Sequence, residues 1–318
     1  MPLVNQIDNA NSRPASLSKA IFSVDVEDWF HILDVPSTPP LAMWDTLPSR
    51  VEKNFYHLLD LFSRKNARVT CFFLGWIAER FPHLVKEAVR RGHEIASHGY
   101  EHRLVYETNR REFYEDALRS RELLESIAGS PVRGYRSAGF SVTEETPWFF
   151  EELAAAGYSY DSSVFPAQRG HGGIRGACRS PYIVQDGKLR LLEFPMTVID
   201  VAGRPMCFFG GGYLRFFPYW LIQKMAQKVI DSGRPVVFYV HPREIDPTHP
   251  RLPMSWRRQF KSYFNLQHTE KKILRILDDF PVTTYGEFLA QPGKLGRLRL
   301  PLWVAPESSG ERITTASS

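Results

Sequence analysis

Short apolar runs alternate with amphipathic stretches along most of the 318-residue chain. A strand buried on both faces reads as a continuous apolar run, and the helix that returns the chain carries a single apolar stripe, so this rhythm predicts parallel strands joined by crossover helices. The strand candidates are 20–26, 68–73, 94–97, 134–136, 191–195 and 235–240. Between them Val51, Phe55, Leu58, Leu59 and Phe62 recur at helical spacing, and Phe113, Ala117 and Leu124 do so less regularly. Helices are expected over about 49–65, 80–91, 109–128 and 145–156. Proline and glycine crowd 170–176 and 203–218, which read as loops decorating an α/β scaffold.

Composition narrows the picture. With 43% hydrophobic residues the chain can bury a large core. Residues 1–19 are polar and lack the apolar core and small-residue cleavage site of a secretory signal, so they are expected to form a flexible tail on a cytoplasmic protein. No apolar run is long enough to span a bilayer. The main domain is expected over 20–290, with a second flexible tail at 291–318 that carries Lys294, Arg297, Arg299 and Arg312. Three widely spaced cysteines make neither a disulfide framework nor a zinc knot. The net charge of +5 comes without a dense basic and aromatic stretch, which argues against nucleic acid.

In α/β folds, chemistry collects where strands end and loops begin. Four polar segments meet that condition. The first, Asp25-Val26-Glu27-Asp28, sets three carboxylates at the end of an apolar run. They either complement a helix N-terminus or surround a cation that relieves their repulsion. The second holds His98 and His102, whose spacing of four would put both imidazoles on one face of a helical turn, within reach of one zinc. Gly99 stands where a zincin peptidase has its glutamate. The third, Arg136-Ser137-Ala138-Gly139, sets an arginine beside small residues, where it can hold a carboxylate ionised. The fourth ends the run 235–240 on His241, a side chain suited to donating a proton near neutral pH.

Together these segments resemble the NodB-type polysaccharide deacetylases of carbohydrate esterase family four, over about residues 20–290. The resemblance is carried by Ser23-Val24-Asp25-Val26-Glu27-Asp28, Ser97-His98-Gly99-Tyr100-Glu101-His102, Arg136-Ser137-Ala138-Gly139 and Tyr239-Val240-His241. It implies a distorted (β/α) barrel and a divalent metal, zinc, bound by His98, His102 and either Glu27 or Asp28. It further implies Asp25 as base, Arg136 as the group that keeps Asp25 ionised, a backbone N–H near Gly139 at the oxyanion and His241 as acid. Asp161, in Tyr160-Asp161-Ser162-Ser163, would orient His241 or contact sugar, and Trp29 and Tyr100 would line the groove. The implied reaction is N-deacetylation of an oligo- or polysaccharide, with a lipid-linked precursor as one possible form. Two departures stand out: Val26 replaces the second of two adjacent aspartates, and Ala138 replaces a proline. The wording of 192–197, 209–213 and 239–244 further resembles a subgroup tied to bacterial exopolysaccharide assembly, with a C-terminal extension over about 200–290.

Overall fold

The computed structural model describes residues 20–33, 35–168, 172–186, 189–291 and 302–303. The expected tails, 1–19 and 291–318, lie outside these residues except for Gln291 and the pair 302–303. The strands are β1 (Ala20–Val26), β2 (Thr70–Phe73), β3 (Glu94–Ser97), β4 (Gly134–Tyr135), β5 (Tyr160–Asp161), β6 (Tyr182–Asp186), β7 (Leu189–Glu193), β8 (Val198–Val201), β9 (Arg204–Cys207), β10 (Val236–Val240), β11 (Val282–Thr283) and β12 (Leu302–Trp303). The helices are α1 (Val51–Arg64), α2 (Gly75–Arg80), α3 (Pro82–Arg90), α4 (Arg110–Ala128), α5 (Phe149–Ala155), α6 (Gly211–Phe216), α7 (Tyr219–Asp231), α8 (Trp256–Tyr263), α9 (Thr269–Asp279) and α10 (Tyr285–Ala290).

One curled sheet runs in the order β10-β1-β2-β3-β4-β5-β7-β6-β12, with β11 beside the start of β1, while β8 and β9 pair separately. Its pairings are parallel except for β6 with β7. The path is that of a distorted, open (β/α) barrel. Every residue of β1 and β10 is buried, as their largely apolar runs require. In α1 the stripe Val51, Phe55, Leu58, Leu59 and Phe62 faces the core. The α4 helix starts where the Asn109 side chain accepts the Glu112 amide (3.0 Å) and stops at Gly129, which adopts a φ of 67°.

Two expectations about local structure fail for identifiable reasons. The segment 203–218 holds β9 and α6 rather than loop alone. A tight turn at Ala202 and Gly203, both with positive φ, returns β8 into β9. The α2 helix has no counterpart in the apolar pattern, because six residues are too few to display a period. Its first amides instead donate to the carbonyls of Gly99 (2.8 Å) and Tyr100 (3.2 Å), so tertiary contact starts this helix.

Candidate active site

The carboxyl ends of β1, β3, β4 and β10 converge beneath a cleft of about 1120 Å³. Asp25 and Glu27 come from the end of β1, His98 and His102 from the loop after β3, Arg136 from the residue after β4 and His241 from the residue after β10. All but Arg136 line the cleft.

One oxygen of Glu27 and one nitrogen each of His98 and His102 lie within 4.8 Å of one another, all on buried residues. His98 Nδ1 is 2.8 Å from the Arg136 carbonyl oxygen. A carbonyl only accepts, so Nδ1 carries the proton and Nε2 keeps its lone pair for a ligand. Burial acts against the charge on Glu27, yet His102, 3.3 Å away, and His241, 3.0 Å away, hold this carboxyl well below the usual carboxylate range. Burial also presses the His102 imidazole down to about 4, which leaves it neutral and able to coordinate. A buried set of two imidazoles and one carboxylate, with one ring nitrogen held by a neighbouring carbonyl, fits a divalent cation, zinc among them.

His98 and His102 are not on a helical turn. Gly99 (φ 73°) and His102 (φ 56°) take left-handed conformations, and this loop brings the two rings to 5.1 Å. Asp116 on α4 pins the loop by accepting the amides of Tyr100 (2.8 Å) and Glu101 (3.0 Å). A side chain at 99 would also meet Asp116 at 3.0 Å. His102 and Phe140 are non-glycine residues with positive φ that both line the cleft, a strain that surrounding structure must sustain.

Beside the cluster lies a buried ion pair. Arg136 Nη1 donates to Asp25 Oδ1 (2.6 Å) and to Ser23 Oγ (2.8 Å), and Nη2 donates to the Tyr285 hydroxyl (2.9 Å). The guanidinium also sits 4.1 Å over the Phe72 ring. With one oxygen held this way, Asp25 presents Oδ2 towards His241 Nε2 at 3.9 Å. His241 is itself held from behind, since Glu244 Oε2 lies 3.2 Å from its Nδ1. Glu244 is locked in turn by Arg215 Nε at 2.9 Å, and both side chains are buried. Burial works against the imidazolium, but Glu27 and Glu244 outweigh it and raise the His241 pKa to about 10. Glu244 lies within the stretch 239–244 but has no role that its position in the sequence alone assigns. Its signal was an acidic residue three places after the strand-end histidine, where a single turn brings it back to the ring.

Several expected site residues fall elsewhere. Asp28 stands outside the trio, and its oxygens accept the amides of Trp29 (2.8 Å), Arg50 (2.9 Å) and Val51 (3.2 Å) and the Ser49 hydroxyl (2.6 Å), anchoring the start of α1. The carboxylate that joins the histidines is Glu27. Trp29 is buried, with Nε1 donating to the Pro48 carbonyl (3.0 Å), and Tyr100 donates its hydroxyl to Glu79 (2.6 Å), so neither lines the cleft. Asp161 is wholly buried and hydrogen-bonds Ser163 and Glu193, and it touches neither the cleft nor His241. Gly139 does line the cleft.

Residues 38–160 match the sequence model of the polysaccharide deacetylase family, and residues 162–290 match that of a domain of unknown function, DUF3473. Residues 38–160 thus resemble the polysaccharide deacetylases in sequence. A peptidoglycan-N-acetylglucosamine deacetylase of Bacillus cereus is 35% identical over 72 residues, which is 23% of this chain and 26% of that protein. The chain aligns with 26% to 46% of the length of the curated relatives it matches. Among solved structures, a Mycobacterium smegmatis protein assigned as a polysaccharide deacetylase superposes with a TM-score of 0.59 at 21% identity, covering 93% of this chain and 97% of that one. An allantoinase superposes at 0.58 and 17% identity, covering 91% and 97%. These likenesses establish the fold. The deacetylase match contains His98, His102 and Arg136 but begins after Asp25 and Glu27, while His241, Glu244 and Arg215 belong to the DUF3473 segment.

Proposed function

We propose that this chain is a polysaccharide deacetylase that hydrolyses the acetamide of an N-acetylated sugar within an oligo- or polysaccharide, in bacterial exopolysaccharide assembly. The observation that carries the reading is the trio Glu27, His98 and His102 flanked by a buried carboxylate, Asp25, and a half-buried imidazole, His241. The trio would hold a divalent cation, zinc. Such a cation supplies Lewis acidity, polarising a carbonyl oxygen and lowering the pKa of water.

The remaining chemistry belongs to the side chains. Asp25, held at Oδ1 by Arg136, accepts at Oδ2 the proton that water loses as its oxygen bonds to the acetyl carbon. The C–N bond then breaks, and His241 Nε2 delivers a proton to the departing amine while Glu244 holds the ring by Nδ1. Acetate and a free amino sugar leave. Each proton transfer is worth about 10²–10⁴ in rate. The loop carrying Gly139, at the cleft wall, supports a backbone donor to the oxyanion. A cleft this large accommodates several sugar units better than one small ring.

The test is acetate release from N-acetylhexosamine oligosaccharides by the zinc-loaded chain, with bound metal measured alongside for wild type, Asp25→Asn and His98→Ala. The expected result is zinc-dependent release that both substitutions abolish, with zinc retained in Asp25→Asn and lost in His98→Ala. A chain that binds zinc but releases no acetate from any glycan, while opening a cyclic amide such as that of its structural neighbour's substrate class, would refute the reading.

A further inference from the structure

One wall of the cleft is built from α6 and α8, and its outer rim is unusually apolar. Trp256 is 73% exposed and Phe216 55% exposed, and Phe260 and Phe264 are exposed beside them. These are not scattered side chains. The Phe260 and Phe264 rings lie 4.6 Å apart, and Phe216 stands 6.3 and 6.2 Å from them. Trp256 precedes Phe260 by one helical turn and so lies on the same stripe of α8. At the end of α8 Tyr263 turns into the fold, where it is buried and its hydroxyl accepts the Leu252 amide (2.9 Å), which anchors the helix.

The charge around this stripe is one-sided. Residues 247–269 contain Arg251, Arg257, Arg258 and Lys261 and no Asp or Glu, and residues 201–230, which include α6, also contain no Asp or Glu. Arg257 lies 5.3 Å over the Trp256 ring, and Arg257 and Lys261 reach the cleft mouth. An exposed helix with aromatics along one stripe and cations beside it is the arrangement that settles into the headgroup region of an anionic bilayer. A second copy of this chain would bring cations against cations, which opposes self-association.

We propose that the α6–α8 rim is a docking surface for an anionic lipid bilayer, holding the mouth of the cleft at the membrane–water boundary. None of the helices among the described residues is long and apolar enough to cross a membrane, so the contact is peripheral. This inference does not depend on the reaction proposed above, because lipid binding is read without turnover.

The experiment is sedimentation of the full chain with phosphatidylcholine vesicles, with and without phosphatidylglycerol. The expected result is binding to the anionic vesicles alone, weakened by salt. Arg257→Glu with Lys261→Glu should lower affinity at least about 25-fold, from about five-fold per basic residue. Trp256→Ser with Phe260→Ser should abolish the salt-resistant part of binding. Lys53→Glu with Lys86→Glu, the same charge change on the exposed faces of α1 and α3, should have little effect. Circular dichroism melts check that each variant folds. Equal binding to neutral and anionic vesicles, or equal loss in the α1–α3 control, overturns the proposal. So does an absence of vesicle binding coupled with loss of soluble oligosaccharide binding in the Trp256 and Phe260 variant, which would make the rim a glycan platform.

Discussion

Replacing Arg136 with methionine removes the cation from a wholly buried ion pair and leaves Asp25 facing a low-dielectric surround with its strongest partner gone. Charge centres about 4 Å apart attract by about 4 kcal/mol at an effective dielectric of about 20. Breaking a buried pair from one side costs about 3–5 kcal/mol. For a chain of this size each kcal/mol lowers Tm by about 2 °C, so the metal-free variant should melt about 6–10 °C below wild type. The double variant Arg136→Met with Asp25→Asn carries neither charge and should recover at least about 1 kcal/mol relative to Arg136→Met alone. The assay is thermal and urea unfolding of the four proteins, with the coupling taken from the cycle. Additive single effects, or an Arg136→Met protein melting within about 2 °C of wild type, would show that Asp25 and Arg136 are not energetically coupled as a buried ion pair.

Two further outcomes follow from the other charged groups. Glu244→Gln keeps a side chain able to accept from His241 Nδ1 but removes its charge. It should lower kcat about 10–100-fold with KM little changed and move the alkaline limb of the pH–rate profile to lower pH, and a change confined to KM would contradict a positioning role. The His241 pKa, raised from 6.5 to about 10 in the metal-free fold, means that the folded state binds the proton more tightly than the unfolded state. That stability is fully present below pH 6.5 and is lost as pH rises through about 10, so urea unfolding should show a decline over this window that His241→Gln flattens. His102, lowered to about 4, acts in the opposite sense and removes stability as pH falls from 6.5 towards 4.

The strand-end residues were legible because each follows an apolar run whose burial is dictated locally. Asp25, His98, Arg136 and His241 could therefore be placed at one edge of the sheet without knowing any contact. What could not be read depends on direction rather than position. Glu27 and Asp28 are neighbours in sequence, but the chain turns after β1, so one faces the histidines and the other the amides that begin α1. Trp29 and Tyr100 flank site residues yet point inward, because burying an aromatic ring stabilises more than lining a wet groove. The spacing of His98 and His102 suggested a helical turn, and two left-handed residues achieve the same approach without one. Glu244 was hidden because its function lies in a bond to a histidine three residues away, inside a short turn with no pattern of its own.

The pairing of β1 with β10 also governs when the protein can act. Ser23 Oγ bonds the Phe238 carbonyl across 215 positions of sequence, and Val24 stands opposite Val240, one step before both Asp25 and His241. A chain emerging from the ribosome therefore holds its base long before its acid exists. Contacts of such sequence separation form slowly, so proton-transfer competence arrives as one of the last events of folding. Until then β1, mostly apolar, presents an unpaired edge to other chains. Timely arrival of β10 thus completes the catalytic pair and closes the segment most open to misassembly.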